Sequence, residues 1–137
     1  MLALVALTAC ATTAGIDWAP ESDFVLDIQD NPAQQRFDIT LASKSSTPLC
    51  LPKESWPDAA ALPAGFDGAT LTTSSGKKDL LPTGSAYCPG GCGEVRIEPG
   101  QKVEGAISYS AFGDSTAIAA DNTRALDFQA HPYQCTK

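Results

Sequence analysis

Apolar residues occupy every second position over two neighbouring runs of this chain, at residues 24–28 and 37–41. A period of two is typical of β-strands that bury one face and expose the other. Asp30-Asn31-Pro32 follows the first run, and these residue types favour turns. We therefore expect the two runs to pair as a hairpin.

The same pattern recurs along the rest of the chain. Further strands are expected, each flanked by turn residues, at residues 49–51, 69–73, 79–81, 95–97, 103–109 and 126–130. The runs at 69–73 and 79–81 flank Ser74-Ser75-Gly76-Lys77 and are expected to form a second hairpin around this turn. Pro99-Gly100 fits the central positions of a type II turn. No stretch has a clear helical period, so residues 111–122, which are rich in small side chains, are expected to form a loop. About seven short strands with frequent turns predict an all-β fold, an antiparallel β-sandwich.

Turn residues between these strands resemble those of the small immunoglobulin-like domains of exported bacterial proteins. In such domains a strand ends in a polar turn that leads into Pro and Cys, as it does here at Thr47-Pro48-Leu49-Cys50. A later strand ends in Pro-Gly, as at Pro99-Gly100. The resemblance implies an immunoglobulin-like sandwich, and it carries over no active site.

The first nine residues form an apolar run that closes with Leu7-Thr8-Ala9-Cys10. This motif resembles the lipobox of bacterial lipoproteins, in which the cysteine is lipidated and becomes the first residue of the mature protein. The resemblance implies a signal peptide over residues 1–9 and a membrane anchor on Cys10. The basic start of a signal peptide is absent, which a start site assigned a few residues too late would explain.

Localisation and domain boundaries follow from the same resemblance. Ala11 stands where an aspartate often retains such proteins in the inner membrane, so the periplasmic face of the outer membrane is the expected location. Residues 10–22 are small and polar and are expected to form a lipidated tether. Trp18, the large side chain in this tether, is expected either to dock on the domain edge or to lie at the lipid interface. Residues 23–137 are then a single β-sandwich domain.

The chain is acidic, with a net charge of −7 and one histidine. This excludes nucleic acid as a partner, because no basic patch is present to neutralise phosphates. An acidic surface favours basic partners by electrostatic steering, or it simply keeps the protein soluble.

Four cysteines remain once Cys10 is set aside: Cys50, Cys88, Cys92 and Cys135. An even number in an exported chain predicts two disulfides, for which three connectivities are possible. The spacing favours a long-range bridge from Cys50 to Cys135 and a small local ring from Cys88 to Cys92.

Tyr87-Cys88-Pro89-Gly90-Gly91-Cys92 is the most distinctive local motif. Three interpretations compete: a structural disulfide loop, a redox pair, and a soft metal site for an ion such as copper with His131 or Cys135 as a further ligand. The redox interpretation is weakened because the spacing is one residue longer than Cys-x-x-Cys. We expect the structural disulfide, with no metal and no cofactor.

Catalysis is not expected, and we assign no catalytic residue. A Ser–His–Asp system needs a histidine held by a carboxylate, but His131, followed by Pro132, is predicted to lie at a strand end on the surface. Two acidic groups, Asp27-Asp30-Asn31 and Asp114-Asp121-Asn122, do not fit an EF-hand loop, so we expect turn and solvation roles for them.

The sequence therefore favours a lipid-anchored, non-catalytic interaction or structural module of the cell envelope, with an envelope or secreted protein as its partner. The expected contact surface is the loop at residues 83–93, with Tyr87 as the anchor and Pro89, Gly90 and Gly91 in its stiff turn. An inhibitor of a protease or lysozyme is the first alternative, and a metal-binding or copper-carrier protein is the second.

Overall fold

The computed structural model describes residues 15–85 and 87–136, and these contain nine β-strands and one short α-helix. In chain order the strands are β1 (Phe24–Asn31), β2 (Arg36–Ser43), β3 (Leu49–Pro52), β4 (Ala69–Thr73), β5 (Gly76–Asp79), β6 (Glu94–Ile97), β7 (Lys102–Ser108), β8 (Ala125–Phe128) and β9 (Tyr133–Gln134). The helix α1 (Ser115–Ala120) lies between β7 and β8. The signal peptide and lipidation site predicted at residues 1–10 lie outside the described residues.

The strands form three antiparallel sheets with the orders β1-β2-β7, β6-β3-β9 and β5-β4-β8. The all-β class is thus confirmed, and so are the hairpins expected between β1 and β2 and between β4 and β5. The expected number of strands, about seven, was too low for the described part of the chain. Strand β9 was not predicted, because it has only two residues. The strand expected at residues 79–81 begins earlier, because β5 starts at Gly76 inside the expected turn.

Residues 111–122 are not the loop that the sequence predicted, because they contain α1. Asp114 begins this helix, since its carboxylate accepts the backbone N–H groups of Thr116 and Ala117. Ile118 is the buried residue of α1. Six residues make fewer than two helical turns, so no helical period could be visible in the sequence.

Alternating burial along β2 shows how the sequence pattern builds the core. Phe37, Ile39 and Leu41 are buried, whereas their neighbours in the strand are only partly covered. They belong to one hydrophobic cluster to which strands of all three sheets contribute. Its other large side chains are Leu49, Leu51, Trp56, Phe66, Leu71, Ile97, Ile107, Tyr109, Phe112, Ile118 and Phe128. The three sheets therefore share a single core.

The turn expected at Pro99-Gly100 leads the chain from one sheet to another. Gly100 has a φ of 75°, and the N–H of Gln101 donates to the carbonyl of Glu98 over 3.0 Å. Both features agree with the type II turn that the sequence predicted. The turn connects β6, which pairs with β3, to β7, which pairs with β2.

The outer edge of β7 is covered by the segment that follows β3. The indole Nε1 of Trp56 donates to the carbonyl of Glu104 over 3.1 Å, and the N–H of Ala106 donates to the carbonyl of Pro57 over 3.0 Å. Gly105 lies between these contacts, and a Cβ atom there would lie 2.2 Å from the Pro57 oxygen. The glycine is thus what allows the two segments to approach.

Part of the predicted tether is paired with the domain. Trp18 forms an isolated antiparallel bridge with Tyr133 of β9. The N–H of Ala19 donates to the carbonyl of Pro132, and the N–H of Gln134 donates to that of Asp17. Trp18 thus docks on the domain edge, one of the two places that the sequence suggested, and its side chain remains 56% exposed.

Both disulfides have the connectivity that the spacing favoured. Cys50, buried in β3, is bonded to Cys135, which directly follows β9. The second bridge joins Cys88 to Cys92. The first bridge fixes the end of the chain to the middle strand of its sheet, and the second closes a ring of five residues within one loop.

Candidate functional site

The predicted contact loop contains a tight turn closed by the Cys88–Cys92 bridge. The N–H of Gly91 donates to the carbonyl of Cys88 over 2.8 Å, and Gly90 between them has a φ of 80°. The ring of Pro89 fixes its own φ at the value that suits the first central position of a type II turn, so Pro-Gly again occupies the two central positions. The local sequence therefore dictates this turn, and the disulfide restricts it further.

Tyr87 stands immediately before this ring, and its side chain is 91% exposed. That is the largest exposure among the large hydrophobic side chains of the described residues. Its aromatic ring is therefore free to be buried by another molecule, and its hydroxyl group is free to form hydrogen bonds. Pro89, Gly90 and Gly91 lie within the ring that Tyr87 precedes, and the role of these four residues as a contact surface stays a prediction.

Both ends of the loop are bonded to the folded domain. On one side the hydroxyl of Thr83 accepts the N–H of Gly65 over 3.0 Å. On the other side the carbonyl of Gly93 accepts the N–H of Lys53 over 3.0 Å. The loop is thus held at both ends, which limits the entropy that it loses when a partner binds.

His131 lies on the surface, next to Trp18, with 6.4 Å between the ring centroids in an edge-to-face arrangement. Within the described part of the chain no side-chain hydrogen bond reaches it from a serine or a carboxylate. This agrees with the surface role that the sequence suggested for it.

Both aspartates of the acidic group Asp114-Asp121-Asn122 have structural partners. Asp114 caps α1, as described above. Asp121 accepts the N–H and hydroxyl groups of both Ser74 and Thr123. These bonds hold the pKa of Asp121 well below its usual range, with those from Thr123 as the largest cause. In residues 15–85 and 87–136 no three His, Cys, Asp or Glu side chains converge in a way that could hold a metal ion.

Asp30, Tyr109 and Arg124 form a polar cluster that the sequence did not reveal. The guanidinium of Arg124 lies 2.8 Å from the carboxylate of Asp30 and donates to the Tyr109 hydroxyl over 2.8 Å. Tyr109 in turn donates to Asp30. Arg124 also donates to the carbonyls of Ala119 and Asp121. The cluster therefore joins the end of β1 to the end of α1.

The bonds of this cluster connect parts of the fold to one another. Tyr109 is fully buried, and burial together with the bond to Asp30 raises the pKa of its phenol. The bond to Asp30 likewise raises the pKa of Arg124. Both groups thus keep their ordinary protonation states at neutral pH, and neither is poised to exchange a proton with a substrate. No local motif signals the cluster, because its members come from three distant parts of the chain.

An open cleft of about 440 Å³ lies between the β4–β5 turn and α1. Its polar lining includes Ser74, Lys78, Asp114 and Asp121. The carboxylates of Asp114 and Asp121 already accept backbone N–H groups, and these bonds stabilise the fold. The two carboxylates are therefore not a free acid–base pair.

No helix in the described residues is long and apolar enough to cross a bilayer. Comparison of the chain with protein families, with characterised proteins and with solved structures finds no match.

Proposed function

We propose that this protein is a lipid-anchored, non-catalytic module of the cell envelope that binds another protein. The observation that carries the proposal is Tyr87, 91% exposed beside a ring closed by a disulfide. Aromatic side chains with large exposed area, held by a stiff loop, are favoured anchors in protein interfaces. Partners of this module are envelope or secreted proteins, and a basic partner surface is favoured by the net charge of −7.

The anchor in this proposal is a lipid on Cys10, and the location is the periplasmic face of the outer membrane. The support is Leu7-Thr8-Ala9-Cys10 and the alanine that follows it. Cys10→Ala should abolish incorporation of a labelled fatty acid and move the protein from the membrane fraction to the soluble one. Unchanged labelling and fractionation would contradict the anchor without affecting the contact loop.

We further propose an immunoglobulin-like topology for the domain. In that fold the first, second and fifth strands lie side by side, while the third strand belongs to the opposite sheet. The sheet order β1-β2-β7, together with the crossing from β2 to β3 in another sheet, supports this assignment. Strands β4 to β6 would then be the part that departs most from the standard arrangement.

The contact loop is tested by crosslinking in cells, followed by identification of the captured proteins. Tyr87→Ala should lose the specific partner while the free energy of unfolding stays unchanged, because the side chain has almost no contacts to lose. Leu81→Ala is the matched control, since Leu81 is also a large exposed apolar residue and lies outside the ring. Equal capture by the wild type and Tyr87→Ala would reject Tyr87 as the anchor.

Inhibition of a secreted hydrolase is a second candidate, and the same ring favours it. A small loop stiffened by a disulfide can enter an active-site cleft with little change of shape. Assays against basic lysozymes and secreted proteases separate the two proposals. Inhibition that Tyr87→Ala removes would support the inhibitor, and its absence at high protein concentration would leave the interaction module.

The disulfide-closed ring does not support the hypothesis that this protein is a copper carrier. Cys88 and Cys92 are bonded to each other, as are Cys50 and Cys135. Soft metals bind thiolates, and oxidised sulfur is a poor substitute.

A further inference from the structure

Strand β1 is an edge strand of eight residues with an unbroken register against β2 on one side only. The N–H of Lys44 donates to the carbonyl of Asp23, which fixes the phase of the antiparallel ladder. It follows that the backbone groups of Val25, Asp27 and Gln29 point towards β2. Those of Phe24, Leu26, Ile28 and Asp30 point away from it, and no backbone group in the described residues bonds to them.

Other sheet edges in the described residues are short or covered. The outer edge of β7 is occupied by Trp56 and Pro57, as described above. Strands β5, β6 and β8 have four residues each, and β9 has two. By contrast, β1 has no lysine, no proline and no bulge, which are three of the devices that keep an edge strand from pairing, and its charged residues are Asp27 and Asp30.

A groove of about 350 Å³ runs beside this edge. Phe24 and Leu26 line it from β1, and Ala130 and Pro132 line it from the segment that follows β8. The side chain of Trp18 contributes further apolar surface. The rest of the lining is Ala19 and the polar residues Glu21, Gln129 and His131. An extended chain laid along the first half of β1 would therefore place alternate side chains towards a mostly apolar recess.

The charges around β1 determine what kind of chain fits. Residues 15–35 contain five carboxylates, those of Asp17, Glu21, Asp23, Asp27 and Asp30, and no lysine or arginine. Asp30 is already paired with Arg124, so four carboxylates remain for a partner. A second copy of this strand would bring carboxylates against carboxylates, which is unfavourable. A strand that carries cationic side chains would meet opposite charges instead.

We propose that β1 binds an extended segment of a partner protein in which cationic residues alternate with apolar residues. The segment adds to the sheet as a fourth strand and pairs with the free backbone groups of Leu26 and Ile28. Its apolar side chains enter the groove, and its cationic side chains lie on the outer face beside Asp27. This surface is separate from the Tyr87 loop and does not depend on the function proposed for that loop.

The test uses the full-length protein and a soluble peptide of about ten residues that alternates lysine and valine. Peptide binding should protect the amides of Leu26 and Ile28 from hydrogen exchange, while those of Val25 and Asp27 are protected from the start. A glutamate–valine peptide should not bind. Unprotected Leu26 and Ile28 amides at saturating peptide would overturn the proposal.

Two controls separate strand addition from simple charge attraction. N-methylation of the peptide along the edge that faces β1 should abolish binding, whereas N-methylation along its other edge should not. Asp27→Lys should weaken binding by about threefold to tenfold, and Asp127→Lys, an equal charge change on the exposed face of β8, should not. Equal losses in both variants would reject β1 as the site. Amides of Leu26 and Ile28 protected in a dimer without peptide would show that a second copy occupies the edge, and would also reject the proposal.

Discussion

Arg124 is the side chain whose loss should matter most among the polar residues described above. It is 7% exposed, and it satisfies a carboxylate, a hydroxyl and two backbone carbonyls at once. A buried acceptor that loses its donor keeps the full cost of its own desolvation. Removing this guanidinium therefore leaves several unpaired acceptors rather than one.

Arg124→Met should lower the free energy of unfolding by about 2–3 kcal/mol. Arg96→Met is the control, because the Arg96–Glu98 pair has half-exposed side chains and should contribute less than about 1 kcal/mol. Urea denaturation of both variants measures the difference. Similar losses in the two variants would mean that burial of Arg124 does not determine its contribution.

Tyr133 should make stability fall at alkaline pH. Partial burial, followed by the bond that its hydroxyl donates to Glu94, raises the pKa of Tyr133 from 10.0 to about 12. Between these values the unfolded chain has released the phenolic proton and the folded chain has not, so stability decreases as pH rises. Tyr133→Phe should show a shallower decrease between pH 10 and 12, measured by denaturant titration at each pH. Parallel curves for the wild type and the variant would contradict this assignment.

At the scale of single elements, hydrophobic alternation was a reliable guide wherever a strand was long enough to show it. Strands β1 and β2 each have eight residues, and their hairpin was predicted with its turn. The helix α1 and the strand β9 were missed, because six and two residues are too few to display a period. These short elements form where the surrounding structure supplies partners, such as Cys50 opposite Tyr133.

The contact between β7 and the Trp56–Pro57 segment gives a prediction at this scale. Gly105→Ala should lower the free energy of unfolding by about 1–3 kcal/mol, because the new methyl group has to displace the Pro57 carbonyl or the Trp56 ring. Gly68→Ala is the control, since a Cβ atom there meets only Phe128 at an ordinary 3.7 Å. Thermal unfolding of both variants gives the comparison. Equal stability of the two variants would show that the Trp56–Pro57 segment moves away from β7 without a loss of folding free energy.

At the scale of the whole molecule, the two disulfides should contribute unequally. Cys50 and Cys135 are separated by 85 positions, whereas Cys88 and Cys92 are separated by four. In the chain-entropy model the first bridge contributes about 4–5 kcal/mol and the second about 2 kcal/mol, because a longer closed loop restricts the unfolded chain more.

Replacing both cysteines of one bridge with alanine, for each bridge in turn, measures these contributions by denaturation. The variant without the long bridge should be the less stable of the two by about 2–3 kcal/mol. The variant without the short bridge should retain the fold and lose part of its partner affinity, because the ring beside Tyr87 is released. A larger loss from opening the short ring would imply that the ring is part of the core.

Local sequence was enough to predict the strand-rich class, the two hairpins, the type II turn at Pro99-Gly100 and the disulfide-closed ring beside Tyr87. All of these depend on residues close together in the chain, where backbone preference and alternation act directly. It also limited the cysteines to three pairings, and their spacing favoured the one that formed. Its motif at Cys10 remains the basis of the proposed anchor.

The tertiary structure alone decided which distant segments meet. It brought Arg124 to Asp30 and Tyr109, covered β7 with Trp56 and Pro57, and left β1 uncovered. No local sequence motif specifies these contacts, because they depend on how the three sheets pack around one hydrophobic core. An edge strand and a central strand can have the same alternation, so the free edge of β1 becomes apparent only when every neighbouring strand has been placed.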